Sequence, residues 1–280
     1  MKNIFLFLKP LPVKGKVRLG NNRDGGYVVY QRILAETDVL VSYGVGWDTA
    51  FEEDFNQITT RKVLMFDPTM YQKSPLDADR LRRMLFRLKF KSMYYYIRAG
   101  NQWNTHIKNL ASREILFIKE GISNTSSNLY NTFLNHKTRF SLLTSQLFLK
   151  IDIEGAEYEI FSDDIFYDQL WNVNQMVIEF HDLKNRLLEF KKIIERLQNK
   201  YFIVHIHCNN YSEIFTVYDF KNNGKDNVIF SDVLEITFVR KNGILKSDLL
   251  DEDNVYPIKG LDFPNNPDKP DYSLSFLASQ

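Results

Sequence analysis

The chain has 280 residues, 44% hydrophobic and 14% aromatic, which is apolar material for one large core or two modest ones. Its 36 basic and 35 acidic residues leave a formal net charge of +1, and that balance argues against a protein devoted to nucleic acid, which carries a clear basic excess. A single cysteine, Cys208, excludes an intrachain disulfide and a cysteine-rich zinc cage, and reads as structural.

Residues 1–37 form a lead-in. Its apolar run Ile4–Leu8 is too short for a signal-peptide core and lacks a small-residue cleavage site. No apolar stretch reaches bilayer-spanning length, so a soluble, cytoplasmic protein is expected. Seven apolar, β-branched or aromatic runs follow: Val39–Tyr43, Lys62–Phe66, Ile115–Lys119, Leu147–Asp152, Gln175–Phe180, Phe202–His207 and Val233–Val239. Continuous apolar runs bounded by polar turns predict strands buried on both faces.

Helical segments fall between them, at Glu52–Ile58, Asp77–Leu88, Ala156–Phe161 and Leu183–Gln198. In the last, Leu187, Leu188, Phe190, Ile193, Ile194 and Leu197 recur at helical spacing. The alternation predicts a doubly wound, mostly parallel seven-stranded α/β sheet with helices on both faces, in a single domain. The polar stretch Lys221–Asn227 shows no helix, so the last two strands are expected to pair like a hairpin. Residues 70–110 form a basic and aromatic helical insertion, with Arg80–Tyr96 read as a sheet-covering helix with a solvated basic face, or as a contact for anionic substrate or a membrane surface. The tail 251–280, carrying Pro257, Pro264, Pro267 and Pro270, is expected to be an irregular extension packed on the surface.

Two places carry chemistry. The first strand runs into Gly44-Val45-Gly46, where glycines allow a tight turn and close approach of a ligand. The second ends in Asp67, about 20 residues on, the separation of an acid that reaches a ribose diol. Together they predict a nucleoside-containing cofactor at the carboxyl ends of the strands. Thr49-Ala50 stand where a dinucleotide site wants a third glycine, and Glu52, Glu53 and Asp54 oppose a pyrophosphate. S-adenosylmethionine, which has no phosphate, is favoured.

The fourth and fifth runs end in Asp152-Ile153-Glu154 and Glu179-Phe180-His181. If the strands stay extended, each pair shares a face, and adjacent parallel strands bring all four groups together. They could remove a substrate proton as general bases, or Asp152, Glu179 and His181 could hold a divalent cation. The structural alternative is that the acids cap helices and pair with Lys or Arg. The sixth run ends in His205-Ile206-His207, and His207, Asn209 and Asn210 are candidates for binding a polyhydroxyl substrate.

These residues resemble the FkbM-type methyltransferase family. Leu149–Glu157 is similar to its signature stretch and Val177–His181 to its next strand. Arg18-Leu19-Gly20, Asp24–Tyr27, Ser42–Gly46 with Phe51-Glu52, and Phe66-Asp67-Pro68 resemble a related branch. The resemblance implies S-adenosylmethionine as donor and an oxygen of a small-molecule or glycan acceptor as recipient. It assigns Tyr43, Gly44, Gly46, Asp67, Glu120, Gly121 and Ile122 to the cofactor, the last three beside the adenine. The sequence departs from the pattern in placing Trp47 after Gly46. The rival readings are a nicotinamide- or sugar-nucleotide-dependent enzyme on the same fold and a catalytically silent binding module.

Overall fold

The computed structural model describes residues 5–70, 78–87, 89–217, 228–274 and 277. In chain order a hairpin of β1 (Lys16–Leu19) and β2 (Tyr27–Tyr30) leads through α1 (Gln31–Glu36) to β3 (Val39–Tyr43), α2 (Ala50–Thr59) and β4 (Lys62–Phe66). Helices α3 (Ala78–Phe86) and α4 (Phe90–Ala111) precede β5 (Ile115–Ile118), the short β6 (Gly121–Ile122) and β7 (Tyr130–Asn131), and α5 (Phe133–Arg139). Then come β8 (Leu147–Ile151), α6 (Glu157–Ser162), α7 (Asp164–Asp168), β9 (Val173–Phe180), α8 (Leu183–Leu197) and β10 (Tyr201–Cys208). A hairpin of β11 (Ile214–Val217) and β12 (Val228–Ser231) leads to β13 (Leu234–Arg240).

Seven strands form one sheet in the order β10-β13-β9-β8-β3-β4-β5, the doubly wound arrangement expected. Pairing is parallel from β5 through β9, and β13 runs antiparallel between β9 and β10. Every residue of β3 and β8 is buried, as continuous apolar strands covered on both faces must be. Phe161, Phe190, Ile193 and Ile194 of α6 and α8 pack one face, and Phe51, Phe55, Trp103 and Leu110 of α2 and α4 the other. Of the periodic positions in α8, Leu188 alone faces solvent.

The chain leaves β3 toward β4 and β5 on one side and returns to β8 and β9 on the other. The carboxyl ends of β3 and β8 therefore flank the switch point, where open α/β sheets bind ligands. Tyr43 and Ile151 stand side by side there, so Gly44 and Asp152 enter the crevice together.

Asp77, Leu88 and Lys221–Asn227 lie outside the described residues. The last strands do pair antiparallel, but the β11–β12 hairpin was not foreseen. Among the described residues of the insertion, Met70, Gly100, Trp103 and Leu110 are buried, whereas Phe86, Phe90, Tyr94 and Tyr95 are exposed.

The tail is irregular but is built in, not laid on the surface. Tyr256, Asp262, Asn265, Leu274 and Leu277 are buried. Asp262 takes a hydrogen bond from His205 Nε2 (2.8 Å), and Asn265 donates to Glu235 (2.6 Å). Asn210 Nδ2 donates to the carbonyls of Asn266, Lys269 and Pro270. His207 bridges Glu235 (3.1 Å) and Asp271 (3.0 Å). Burial opposes its charge, but the Glu235 and Asp271 carboxylates override this and push its pKa up to about 10. A raised histidine stabilises fully below its unfolded value near 6.5 and loses that contribution as pH rises through 10. The expected result is a melting temperature that falls between those pH values, with a shallower slope in His207→Asn. The clamp itself is on the order of a few kcal/mol. An unchanged slope in the variant would assign the pH dependence elsewhere.

Candidate active site

Gly44 and Gly46 have φ of 75° and 59°, a region in which side chains are strained. A Cβ on Gly44 would lie 1.5 Å from the Asp152 carbonyl oxygen, so only glycine lets β3 pass β8 here. A Cβ on Gly46 would meet nothing within 4 Å, because that position opens into a cleft. This smaller cleft, about 370 Å³, is lined by Tyr43, Gly44, Gly46, Asp67, Gly121 and Ile122 among others. Tyr43 contributes backbone, since its phenol is buried against His136 Nδ1 (2.9 Å).

Asp67 is already occupied. Its Oδ2 accepts the Gly46 N–H (2.9 Å), and its Oδ1 accepts from Thr69 N, Thr69 Oγ1 and Met70 N. Three of those donors belong to the turn that follows, so the carboxylate shapes both loops of the cleft. Glu120 does not line it. The Arg139 hydrogen bond (2.8 Å) holds Glu120 below the usual carboxylate range, with Asn131 and His136 also bonded to it.

The four predicted acid–imidazole residues do converge. His181 Nε2 lies 3.8 Å from Asp152, 3.6 Å from Glu154 and 3.8 Å from Glu179. Strand alternation is not the cause, because β8 ends at Ile151 and Glu154 is left-handed at φ 55°. The turn folds Glu154 back over His181 with its side chain 87% exposed, whereas Glu179 is buried.

Glu157, buried on α6, orients the ring: its Oε1 is 3.1 Å from His181 Nδ1 and accepts the Ile153 N–H. Burial alone would lower the His181 pKa, but the Glu157 hydrogen bond and the surrounding carboxylates raise it to about 9. At neutral pH the group is therefore an imidazolium. Burial raises both Asp152 and Glu179, and the Asp152 charge lifts Glu179 well above the carboxylate range. The Tyr27 hydroxyl sits between them, 2.9 Å from Glu179 and 3.2 Å from Asp152. A phenol carries one proton. That proton can go to only one of the two carboxylates at a time, and the shorter contact is the one to Glu179.

Lys150 completes the group. Buried beneath the loop, it donates to the Gly44 carbonyl (3.2 Å) and lies 3.8 Å from Asp152. Burial opposes its charge, but Asp152, Glu52 and Glu179 outweigh it and raise the pKa.

A second, larger cleft of about 930 Å³ opens on the same acids. Its walls include Asn21, Asp24, Trp47, Asp48, Glu179 and Asn209. Asn209 donates to Glu179 (2.9 Å) and faces this space. His207 and Asn210, expected beside it, are engaged with the tail and do not line the cleft. Trp47, 58% exposed, turns away from the smaller cleft and packs edge-on against Trp103, ring centroids 5.1 Å apart. The acids read as opposing pyrophosphate are engaged elsewhere: Glu52 is buried against Ser42, Glu53 pairs with Arg113, and Asp54 accepts the Gly20 N–H.

Sequence reasoning missed Tyr27, Lys150 and Glu157. Each lies inside a motif that was singled out, Asp24–Tyr27 or Leu149–Glu157. Their roles follow from packing across more than 100 residues for Tyr27, which no local spacing displays.

A comparison with curated proteins yields no match. Among solved structures, an rRNA methylase from Streptococcus thermophilus is 9% identical, with a TM-score of 0.37 over 74% of this chain and 89% of the other. A putative tRNA (m1A22) methyltransferase from Streptococcus pneumoniae, in complex with S-adenosyl-L-methionine, is also 9% identical, with a TM-score of 0.36 over 74% and 68%. Likeness at that level carries no argument about substrate, and the fold rests on its own strand order. The matched family segment begins after Gly44, Gly46 and Asp67, so those residues rest on geometry. It contains both Leu149–Glu157 and Val177–His181: the model of the Methyltransferase FkbM domain matches residues 108–204, and over that stretch, about a third of the chain, the sequence is similar to that domain.

Proposed function

We propose that the chain is one methyltransferase domain that transfers a methyl group from S-adenosylmethionine, held in the smaller cleft, to a hydroxyl of a carbohydrate-like acceptor in the larger. One observation carries this reading. The two clefts share the wall Val45, Gly46, Asp152 and Glu154, so a donor and an acceptor would meet beside a carboxylate.

The smaller cleft suits a nucleoside thioether. Its volume is in the range of small-ligand pockets, Gly46 leaves room for close approach, and no Lys or Arg lines it among the described residues. That last point weighs against a pyrophosphate cofactor and so against the nicotinamide or sugar-nucleotide alternative. Tyr43, Gly44, Gly121 and Ile122 would form its walls, and Asp67 would fix the loops. Glu120 would act from behind, through Asn131 and Arg139.

When bound, the cofactor supplies an electrophilic methyl, and the residues of the chain have to position the acceptor and take its proton. Asp152 is the base in this reading, its carboxylate held between the Lys150 and His181 charges. Glu179 and Tyr27 keep a proton beside it, and Glu157 fixes the imidazolium. Glu154, at the exposed lip, and Asn209 would bind acceptor hydroxyls. Asp24, Asp48 and Asp152 give the larger cleft acceptors for O–H donors, and Trp47 offers a ring face at its mouth. A surface glycan fits these features.

Labelled methyl transfer into nucleotide sugars and glycan extracts tests the reading. Base-stable label in carbohydrate is expected. No label in any hydroxyl acceptor, from folded protein that binds the cofactor, would overturn oxygen transfer. A parallel arm with chelator addresses Asp152, Glu154 and His181, whose ligand atoms lie within 4.8 Å of one another. Loss of transfer there would assign these residues to a cation.

A further inference from the structure

We propose that the α3–α4 helices form a docking surface for an anionic lipid membrane. Nine of the 36 basic residues and none of the 35 acidic ones fall between Arg80 and Arg113. In a chain of net charge +1 the segment from Arg80 to Lys108 is thus strongly basic, with Asp79 of α3 just before it and Arg113, paired with Glu53, just beyond α4. Arg82, Arg87, Lys89, Lys91 and Arg98 are exposed there.

Apolar side chains are exposed among those charges. Phe86 is 86% exposed, and Leu85, Phe90, Tyr94 and Tyr95 are each more than half exposed. On α4, Phe90, Tyr94 and Ile97 follow i, i+4, i+7 and form one stripe, with Lys91 and Arg98 one residue on from its ends. Aromatic and leucine side chains on one stripe with flanking cations suit a helix lying in a bilayer interface, the rings at headgroup depth and the cations on lipid phosphates. No helix of the described residues is long and apolar enough to cross a membrane, so the surface lies on the bilayer.

Nucleic acid would satisfy the charge but would leave Leu85 and Phe86 uncovered. The surface is also tied to the larger cleft. Trp103 packs on Trp47 at its mouth, and His106 bonds Thr49 (2.7 Å) and pairs with Glu53 (3.3 Å). Phe90 and Trp103 are on one helix, about 20 Å apart by its rise. A bilayer held at Phe86–Tyr95 would bring a lipid-borne molecule near the cleft.

Sedimentation of the full chain with vesicles tests this without using any methyl transfer, so its outcome is independent of the proposed activity. Binding to vesicles of phosphatidylcholine with phosphatidylglycerol is expected, with little binding to phosphatidylcholine alone. Joint reversal of Arg82→Glu, Arg87→Glu and Lys91→Glu is expected to weaken it about a hundredfold or more. Joint Phe86→Ser, Phe90→Ser and Tyr94→Ser is expected to weaken it at least about tenfold. Both variants should keep the wild-type melting temperature. Absence of sedimentation with anionic vesicles, or equal sedimentation with neutral ones, would overturn the proposal. So would a dimer that the serine variant dissociates, or a single-stranded RNA that competes the protein off the vesicles.

Discussion

Asp152→Asn is expected to lower the turnover of methyl transfer by about 10²- to 10⁴-fold while leaving cofactor binding intact, the range for loss of a positioned base. A hydroxyl is a weak nucleophile until its proton leaves, and of the two acids on the wall that both clefts share, Asp152 and Glu154, Asp152 is the one that also lies beside Lys150. Its two flanking cations, Lys150 at 3.8 Å and His181 at 3.8 Å, would remain in the variant. The amide keeps the shape of the side chain, so cofactor affinity should change little, while loss of the charge facing Lys150 and His181 lowers stability. Turnover within threefold of wild type would remove Asp152 from the chemistry. It would favour a silent binding module if transfer by the wild type were also absent.

Two glycines separate fold from ligand. Gly44→Ala is expected to destabilise the protein by at least about 3 kcal/mol, since the left-handed backbone costs about 1–2 kcal/mol and the overlap must be relieved by moving a strand. The new Cβ would lie 1.5 Å from the Asp152 carbonyl oxygen, between two central strands. Gly46→Ala carries only the backbone cost, about 1–2 kcal/mol, because its Cβ meets no atom of the protein within 4 Å. Its methyl would occupy cleft space, and cofactor affinity should drop at least about tenfold, or 1.4 kcal/mol. Thermal melts and ligand titrations on both variants check this. Equal destabilisation by the two, or a Gly46→Ala protein with unchanged affinity, would contradict the assignment of the smaller cleft.

The sheet was legible because its strands are apolar on both faces and bounded by polar turns. Val39–Tyr43 and Lys62–Phe66 match residue for residue. The β1–β2 hairpin was not, since Lys16–Leu19 alternates over only four residues and gains its meaning from Tyr27 reaching across to Glu179. The tail misled for a related reason. Its prolines do break regular structure, but Asp262, Asn265 and Asp271 are held by His205, Glu235 and His207 in strands far earlier in the chain.

Within the candidate site, the convergence of Asp152, Glu154, Glu179 and His181 was foreseen on a partly mistaken ground. Each pair runs past its strand, since β8 ends at Ile151 and β9 at Phe180, and Glu154 adopts a left-handed backbone. His207 and Asn210 were misplaced because residues at a strand end can serve a cleft or a packed tail, and only the tertiary partners decide. Asp67 stands at the expected strand end, yet three hydrogen bonds from its own turn and one from Gly46 use its oxygens. Spacing reports where such a carboxylate lies and not what it already accepts.

Calorimetric titration of the full chain with S-adenosylhomocysteine is the most direct trial of a sulfur-nucleoside cleft at Gly44–Gly46. One-site binding, abolished or at least tenfold weaker in Gly46→Ala, is the predicted outcome. Folded wild-type protein that gives no heat with this ligand, or that instead binds a dinucleotide, would contradict the account.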